Sequence, residues 1–263
     1  MVKTGLRVVV LAYLAMLLVI PVVVIIGRTF AHGISPVFAS LNTSAAMHAF
    51  QITAVVTFYA VIANTIFGVL AAILLVRYRF PGKRLISALI DLPLAVSPVI
   101  VGLALVLVYG RTTGTGKALA NLGISIIFSI PGMVMATVFV CIPLVVRAVA
   151  PVLEEIGDDQ EQAASTLGAS SWQTFRRITL PSIRGALAYG VVLALARSMG
   201  EYGAIAVVSG RLVGRTQTVT LFVQERYQNF DQQAAYAAAL VLVLSAVIAL
   251  LISRALRPKE ITR

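Results

Sequence analysis

Hydrophobic residues in this chain gather in long unbroken runs, with the polar positions collected between them. Residues 8–26, 51–76, 124–146 and 234–253 contain no Asp, Glu, Lys or Arg. Residues 85–109 carry only Asp91, and residues 186–209 only Arg197 and Glu201. A helix needs roughly 20 apolar residues to cross a hydrocarbon core, so each run is long enough to span. A transmembrane barrel would show short alternating segments instead. The pattern predicts an all-α membrane protein of six transmembrane helices in a single domain, residues 1–263. Pro93 and Pro98 in the third run and Pro143 in the fourth predict kinked, closely packed helices, because neighbours satisfy the carbonyls that proline frees. A gating hinge at these prolines is the second reading.

Composition agrees, with 59% of residues hydrophobic and only 12% charged, the balance of a polytopic membrane protein. The net charge of +11 matters through its placement. With the N-terminus inside, the inner segments hold Lys3, Arg7, Arg77, Arg79, Lys83, Arg84, Arg147, Arg176, Arg177, Arg184, Arg254, Arg257, Lys259 and Arg263. The outer loops hold Arg28, Arg111, Lys117, Arg211, Arg215 and Arg226, and Arg197 is intramembrane. This positive-inside bias puts both termini in the cytoplasm and makes the basicity topogenic, which argues against a nucleic-acid partner. Lys3 and Arg7 before an apolar run also fit a signal peptide. That run is long, contains Pro21 and lacks a small-x-small cleavage pattern, so an uncleaved first span is expected. Cys141 is the single cysteine and cannot form an intrachain disulfide. No internal repeat supports an inverted-repeat carrier.

The polar interval at 154–184 is built differently from an ordinary connection. Asp158 followed by Glu161 has capping-box spacing and predicts a short helix from about Asp159. Two acids in its first turn complement the helix dipole. Ala163, Ala164 and Leu167 give a small, mildly apolar face, and Gly168 suits the left-handed residue that ends a helix. Ser170 with Gln173 is a second capping box, opening a helix that carries Trp172, Phe175 and Ile178, and Leu180-Pro181 biases the chain out of helix before the fifth span. The expected product is a short cytoplasmic helix, fastened at both ends, that can enter a groove on a partner. An amphipathic helix lying on lipid is the plainer alternative, opposed by the acidic cluster Glu154, Glu155, Asp158, Asp159 and Glu161.

The spacing of Ala163-Ala164, Gly168 and Ile178-Thr179-Leu180-Pro181 resembles the EAA loop of binding-protein-dependent ABC importer permeases. The family pattern has Glu immediately before the alanines, whereas this chain has Gln162 there and Glu161 one residue earlier. The likeness extends over most of the chain. Asp91-Leu92-Pro93-Leu94-Ala95-Val96-Ser97-Pro98, Arg197-Ser198-Met199-Gly200-Glu201-Tyr202-Gly203-Ala204 and Gly214-Arg215-Thr216-Gln217-Thr218 resemble the oxyanion branch. Val223-Gln224-Glu225-Arg226-Tyr227-Gln228-Asn229-Phe230 is closer to sulfate/thiosulfate permeases of the W type than to molybdate permeases. The resemblance implies the type I importer (MetI-like) fold in a bacterial inner membrane. It implies a heterodimer with a T-type permease, an ABC ATPase dimer and an outer sulfate-binding protein. ATP-Mg belongs to the ATPase, and no cofactor is expected in this non-catalytic chain. Glu161, Gln162, Ala163, Ala164, Leu167, Gly168, Ala169, Leu180 and Pro181 fall on the ATPase-coupling loop.

Arg197 and Glu201 lie four residues apart, on one face of the predicted fifth span. A charge at mid-bilayer costs roughly 2.5–3.5 kcal/mol on insertion scales, so both are expected to face protein or water. As a pair that merely stabilises a helix they gain only about 0.2–0.5 kcal/mol, and in the poorer order. A pathway or gate formed by Arg197, Gly200, Glu201 and Gly203 is therefore preferred over scaffold, with Arg197 offering a guanidinium to a tetrahedral oxyanion and the glycines permitting close helix contact. Asp91 is expected to cap or pair. His32 and His48 lack clustered carboxylates or Cys, so metal binding is not expected. The run from Gly110 to Ala118 fails as a phosphate loop, with Arg111 where its first Gly belongs and no Ser or Thr after Lys117. A molybdate or tungstate permease, an ion-coupled carrier acting without an ATPase, and a membrane scaffold remain as alternatives.

Overall fold

The computed structural model describes residues 2–256, so Arg257, Lys259 and Arg263 lie outside the described residues. The described chain is helical throughout: α1 (Val2–Leu14), α2 (Ile20–Phe30), α3 (Ile34–Leu41), α4 (Ser44–Arg77), α5 (Lys83–Ala95), α6 (Pro98–Tyr109) and α7 (Gly114–Asn121) form the first half. The second holds α8 (Ile130–Ile156), α9 (Asp159–Thr166), α10 (Ser171–Thr174), α11 (Leu180–Met199), α12 (Gly203–Val208), α13 (Val219–Gln228) and α14 (Gln232–Leu256). Five stretches among the described residues are long and apolar enough to cross a membrane, and α5 with α6 makes a sixth if the bent pair is one span.

That third span differs from the kinked helix its prolines suggest. α5 and α6 meet at 114° across a break at Val96-Ser97, where both residues are extended. Ser97 precedes proline, which disfavours its helical conformation, and Pro98 then opens α6 where its missing N–H costs nothing. Pro143 and Pro151, by contrast, sit inside an unbroken α8. Leu180-Pro181 does not end a helix either. α10 continues through a π turn at Phe175–Thr179 into α11, giving one helical stretch, Ser171–Met199. The widened turn hands Leu180 N–H to the Phe175 carbonyl, and Pro181 occupies the first turn of α11.

α8 is the centre of the bundle. Met133, Ala136, Cys141, Val145, Val149 and Leu153 are buried along it, between α4 and α11. Lipid is as apolar as leucine, so close packing rather than escape from water holds such helices together. Val145 shows how close: a Cβ on Gly68 of α4 would lie 2.7 Å from the Val145 side chain, and one on Gly190 of α11 would lie 3.2 Å from its Cα. The exposed apolar side chains of α1, α2, α4 and α14, such as Leu11, Val23, Phe58 and Leu251, face outward, a surface suited to lipid or to another helix. At the end of the bundle where α4 begins, Ala46 and Ala49 pack with Phe222 of α13 and Ala238 of α14. There the Val219 N–H donates to the Thr53 hydroxyl at 2.9 Å, tying α13 to α4.

Candidate functional site

Two loci stand out, one at each end of α11. The first is the connection from α8 to α11. Gly157 turns the chain at φ 69°, and α9 begins at Asp159 as its spacing suggests. The capping box does not form, because the Asp158 side chain makes no cap and Glu161 turns away from it. Glu161 meets Arg77, the last residue of α4: Nε donates to Oε2 at 2.8 Å and a terminal nitrogen to Oε1 at 3.3 Å. The same guanidinium donates to the carbonyls of Leu153 at 2.9 Å and Gly157 at 2.7 Å. Those carbonyls belong to the C-terminal end of α8, where a cation is favoured and acceptors lack helical partners. Thr179, in the π turn, donates its hydroxyl to Glu161 Oε1 at 2.7 Å. The Glu161 carboxylate therefore joins α9 to α4 and to the base of α11, and Arg77 extends the cluster to the end of α8.

The far end of α9 closes as the sequence predicts. Gly168 takes φ 82°, its N–H donates to the Ser165 carbonyl, and the Ala169 N–H reaches back to Ala164. This double closure satisfies the last carbonyls of α9 and requires a left-handed residue, which glycine adopts without a steric penalty. Ser170 and Gln173 form the reciprocal capping box at α10. No residue of α9 is buried. Gln162 and Ala163 are exposed, Ala164, Ala169 and Leu180 are half-buried, and Pro181 is exposed. Leu167 is 88% exposed at the end of α9, and on α10 Trp172 stacks on Phe175 with ring centroids 5.6 Å apart. The helix projects from the bundle with an apolar tip and a tethered root.

The second locus lies where α11 ends. Arg197 and Glu201 do not share a helix face, because α11 stops at Met199 and Glu201 sits in the break before α12. They still approach to 2.6 Å, as an ion contact without hydrogen-bond alignment. The Glu201 side chain is wholly buried and that of Arg197 is 40% exposed. Glu201 Oε1 accepts the Ala204 N–H at 3.0 Å, so the carboxylate also caps α12. Its backbone carbonyl accepts the Thr220 hydroxyl at 3.0 Å. Gly203 lets this break press on the one between α5 and α6, since a Cβ there would lie 3.1 Å from Pro98 Cβ. Gly102 of α6 likewise leaves room for the Ala204 carbonyl. Gly200 makes no such approach and only terminates α11. The two broken segments thus pack together beside a half-exposed guanidinium.

The remaining candidates resolve simply. Asp91 pairs with Arg147 at 2.8 Å, as its position suggests. The run from Gly110 to Ala118 starts helix α7, with the Thr113 hydroxyl accepting the Gly116 N–H at 3.0 Å. Arg77 and Thr179 are the functional candidates that the sequence does not announce. Arg77 reads as one more topogenic cation at the end of an apolar run, and its partner is 84 residues away.

The bundle thus combines apolar helices long enough to span a membrane, two broken segments packed on each other, and a short exposed helix tethered at one end. The chain belongs to the family of binding-protein-dependent transport system inner membrane components, whose model matches residues 64–261. It is 45% identical over 249 residues to the sulfate transport system permease protein CysW of Synechocystis sp., covering 95% of this chain and 90% of that relative. It is 35% identical to the sulfate transport system permease protein CysT of Escherichia coli K12, covering 91% and 87%. A crystal structure of a bacterial ABC transporter involved in alginate import superposes with TM-score 0.76 at 17% identity, covering 97% of this chain and 93% of that one, a likeness of fold.

Proposed function

We propose that this chain is the transmembrane W-type subunit of an ATP-driven sulfate/thiosulfate importer. It forms half of the translocation pathway and couples to a separate ATPase through α9. The observation that carries the reading is the 45% identity to a sulfate permease over 95% of the chain. The projecting tip of α9 supports the coupling role, because an exposed leucine on a tethered helix suits a groove on a partner. Gln162, Ala163, Ala164, Leu167, Gly168 and Ala169 form the docking surface. Glu161 holds its root, and Leu180 and Pro181 complete the coupling segment in the first turn of α11.

The partners in this reading are a T-type permease, an ATPase dimer that binds ATP-Mg, and an outer sulfate-binding protein. The weaker but extensive likeness to CysT supports a second, related permease. The chain lies in a bacterial inner membrane with both termini and α9 on the cytoplasmic side, a reading the cation bias supports. Arg197 lines the anion path. A planar guanidinium presents paired donors to a tetrahedral oxyanion, and its contact with buried Glu201 offsets part of the charge so that the anion is released. Uptake of labelled sulfate by cells expressing the full system tests the substrate. Competition by thiosulfate with little effect of molybdate or tungstate is expected, and stronger competition by molybdate overturns the assignment.

A further inference from the structure

The clamp of Arg77, Glu161 and Thr179 has a direction built into it. Glu161 is on the helix that projects, and Thr179 is at the base of α11, whose last turn carries Arg197. From Thr179 to Arg197 the chain is unbroken helix, about 27 Å at 1.5 Å per residue. Arg77 fixes the carboxylate from the other side while gripping the end of α8. Its side chain is 13% exposed and that of Glu161 21%, so water competes little with these bonds.

We propose that Glu161 is a positioning residue rather than a docking contact, and that its bond to Thr179 is the link through which α9 moves α11. A push on the tip of α9 acts through this carboxylate bridge directly on the base of α11, in parallel with the chain at 167–170, whose turn is held by the Gly168 and Ala169 N–H groups. α11 is then displaced along its length, and the displacement reaches the Arg197–Glu201 pair and the paired breaks beyond it. Arg77 supplies the fixed side of the bridge, because two of its hydrogen bonds orient the carboxylate while two others anchor the guanidinium to the end of α8. The inference rests on the reading of α9 as the ATPase-facing helix.

Thr179→Val keeps the shape of the side chain and removes only the hydroxyl. Thr179→Ser keeps the hydroxyl and removes a methyl. Both are studied in the complete complex, with its ATPase, second permease and binding protein, in proteoliposomes. Thr179→Val is expected to assemble and hydrolyse ATP while sulfate moved per ATP falls at least about tenfold, the scale of one lost hydrogen bond to a charged group. Thr179→Ser is expected to match wild type. A second readout needs no substrate: spin labels at Ser165→Cys and Leu195→Cys report the distance between α9 and the far half of α11. One narrow distance, unchanged by ATP, is expected in wild type and Thr179→Ser, and a broadened one with ATP in Thr179→Val. Wild-type coupling and distances in Thr179→Val, or equal failure of Thr179→Ser, overturn the proposal. Because the distance readout works without anion, failure of the link is distinguishable from failure of the sulfate assignment.

Discussion

Arg197 and Glu201 approach to 2.6 Å with the carboxylate wholly buried and the guanidinium 40% exposed. Such asymmetry is not that of a pair built to neutralise itself. Glu201 is spoken for by the Ala204 N–H and by Arg197, whereas the Arg197 guanidinium stays partly exposed, as the proposed anion path needs.

The first prediction follows from that asymmetry. Arg197→Lys is expected to cut uptake by about tenfold, since the charge remains but the planar fork is lost. Arg197→Ala is expected to abolish uptake without preventing assembly. The double change Arg197→Ala with Glu201→Ala is expected to stay inactive, and robust uptake by it would reduce the pair to scaffold. Glu201→Gln, which can still cap α12, is expected to fold, checked by size-exclusion of the assembled complex.

A second prediction concerns the end of α9. Gly168 sits at φ 82°, a conformation that costs a β-branched residue about 1–2 kcal/mol. Gly168→Val is expected to leave the chain inserted but to weaken co-purification with the ATPase and to uncouple uptake. Full association and transport would mean that this turn does not set the docking geometry.

The third prediction probes the core. Gly68→Ala pushes a methyl to 2.7 Å from the Val145 side chain, an overpacking that costs about 1–3 kcal/mol. Its melting temperature in detergent is expected to fall by several degrees. Adding Val145→Ala is expected to recover only part of the loss, because it removes the Cγ1 contact but leaves Val145 Cβ at 2.7 Å. Additive destabilisation would show that they do not interact.

Sidedness gives a fourth prediction. Ser165 is exposed on α9, and Phe230 is 87% exposed on the loop before α14, at the opposite end of the bundle. Cysteines at these positions are expected to react with impermeant maleimide from opposite sides, Ser165→Cys in inside-out vesicles and Phe230→Cys in right-side-out ones. The reverse pattern would turn the molecule over and remove α9 from the ATPase side.

Much of this was legible in the residues. The uncharged runs gave the spans because hydrocarbon tolerates little else, and Gly168 with the Ser170–Gln173 box gave the turn and the restart of helix because those features are local. What stayed hidden depended on contacts distant in sequence or on competition between local rules. Asp158 and Glu161 have the spacing of a capping box, but Arg77 offers the carboxylate a stronger, charge-assisted partner. Leu180-Pro181 looks like a helix end, yet the π turn before it absorbs the missing N–H. Arg197 and Glu201 look like neighbours on one helix, yet the helix ends between them at Met199. No local pattern marks the pairing of the α5–α6 break with the α11–α12 break, which Gly102 and Gly203 make possible through space.

The most direct test of the account is the energy source of transport. Proteoliposomes holding this chain with its second permease, ATPase and binding protein are loaded with ATP-Mg on the ATPase side, and labelled sulfate is presented on the other. Accumulation against a gradient that requires both hydrolysable ATP and the binding protein is the predicted result. Accumulation driven by an ion gradient in the absence of ATP would contradict it and make the chain a carrier that needs no ATPase.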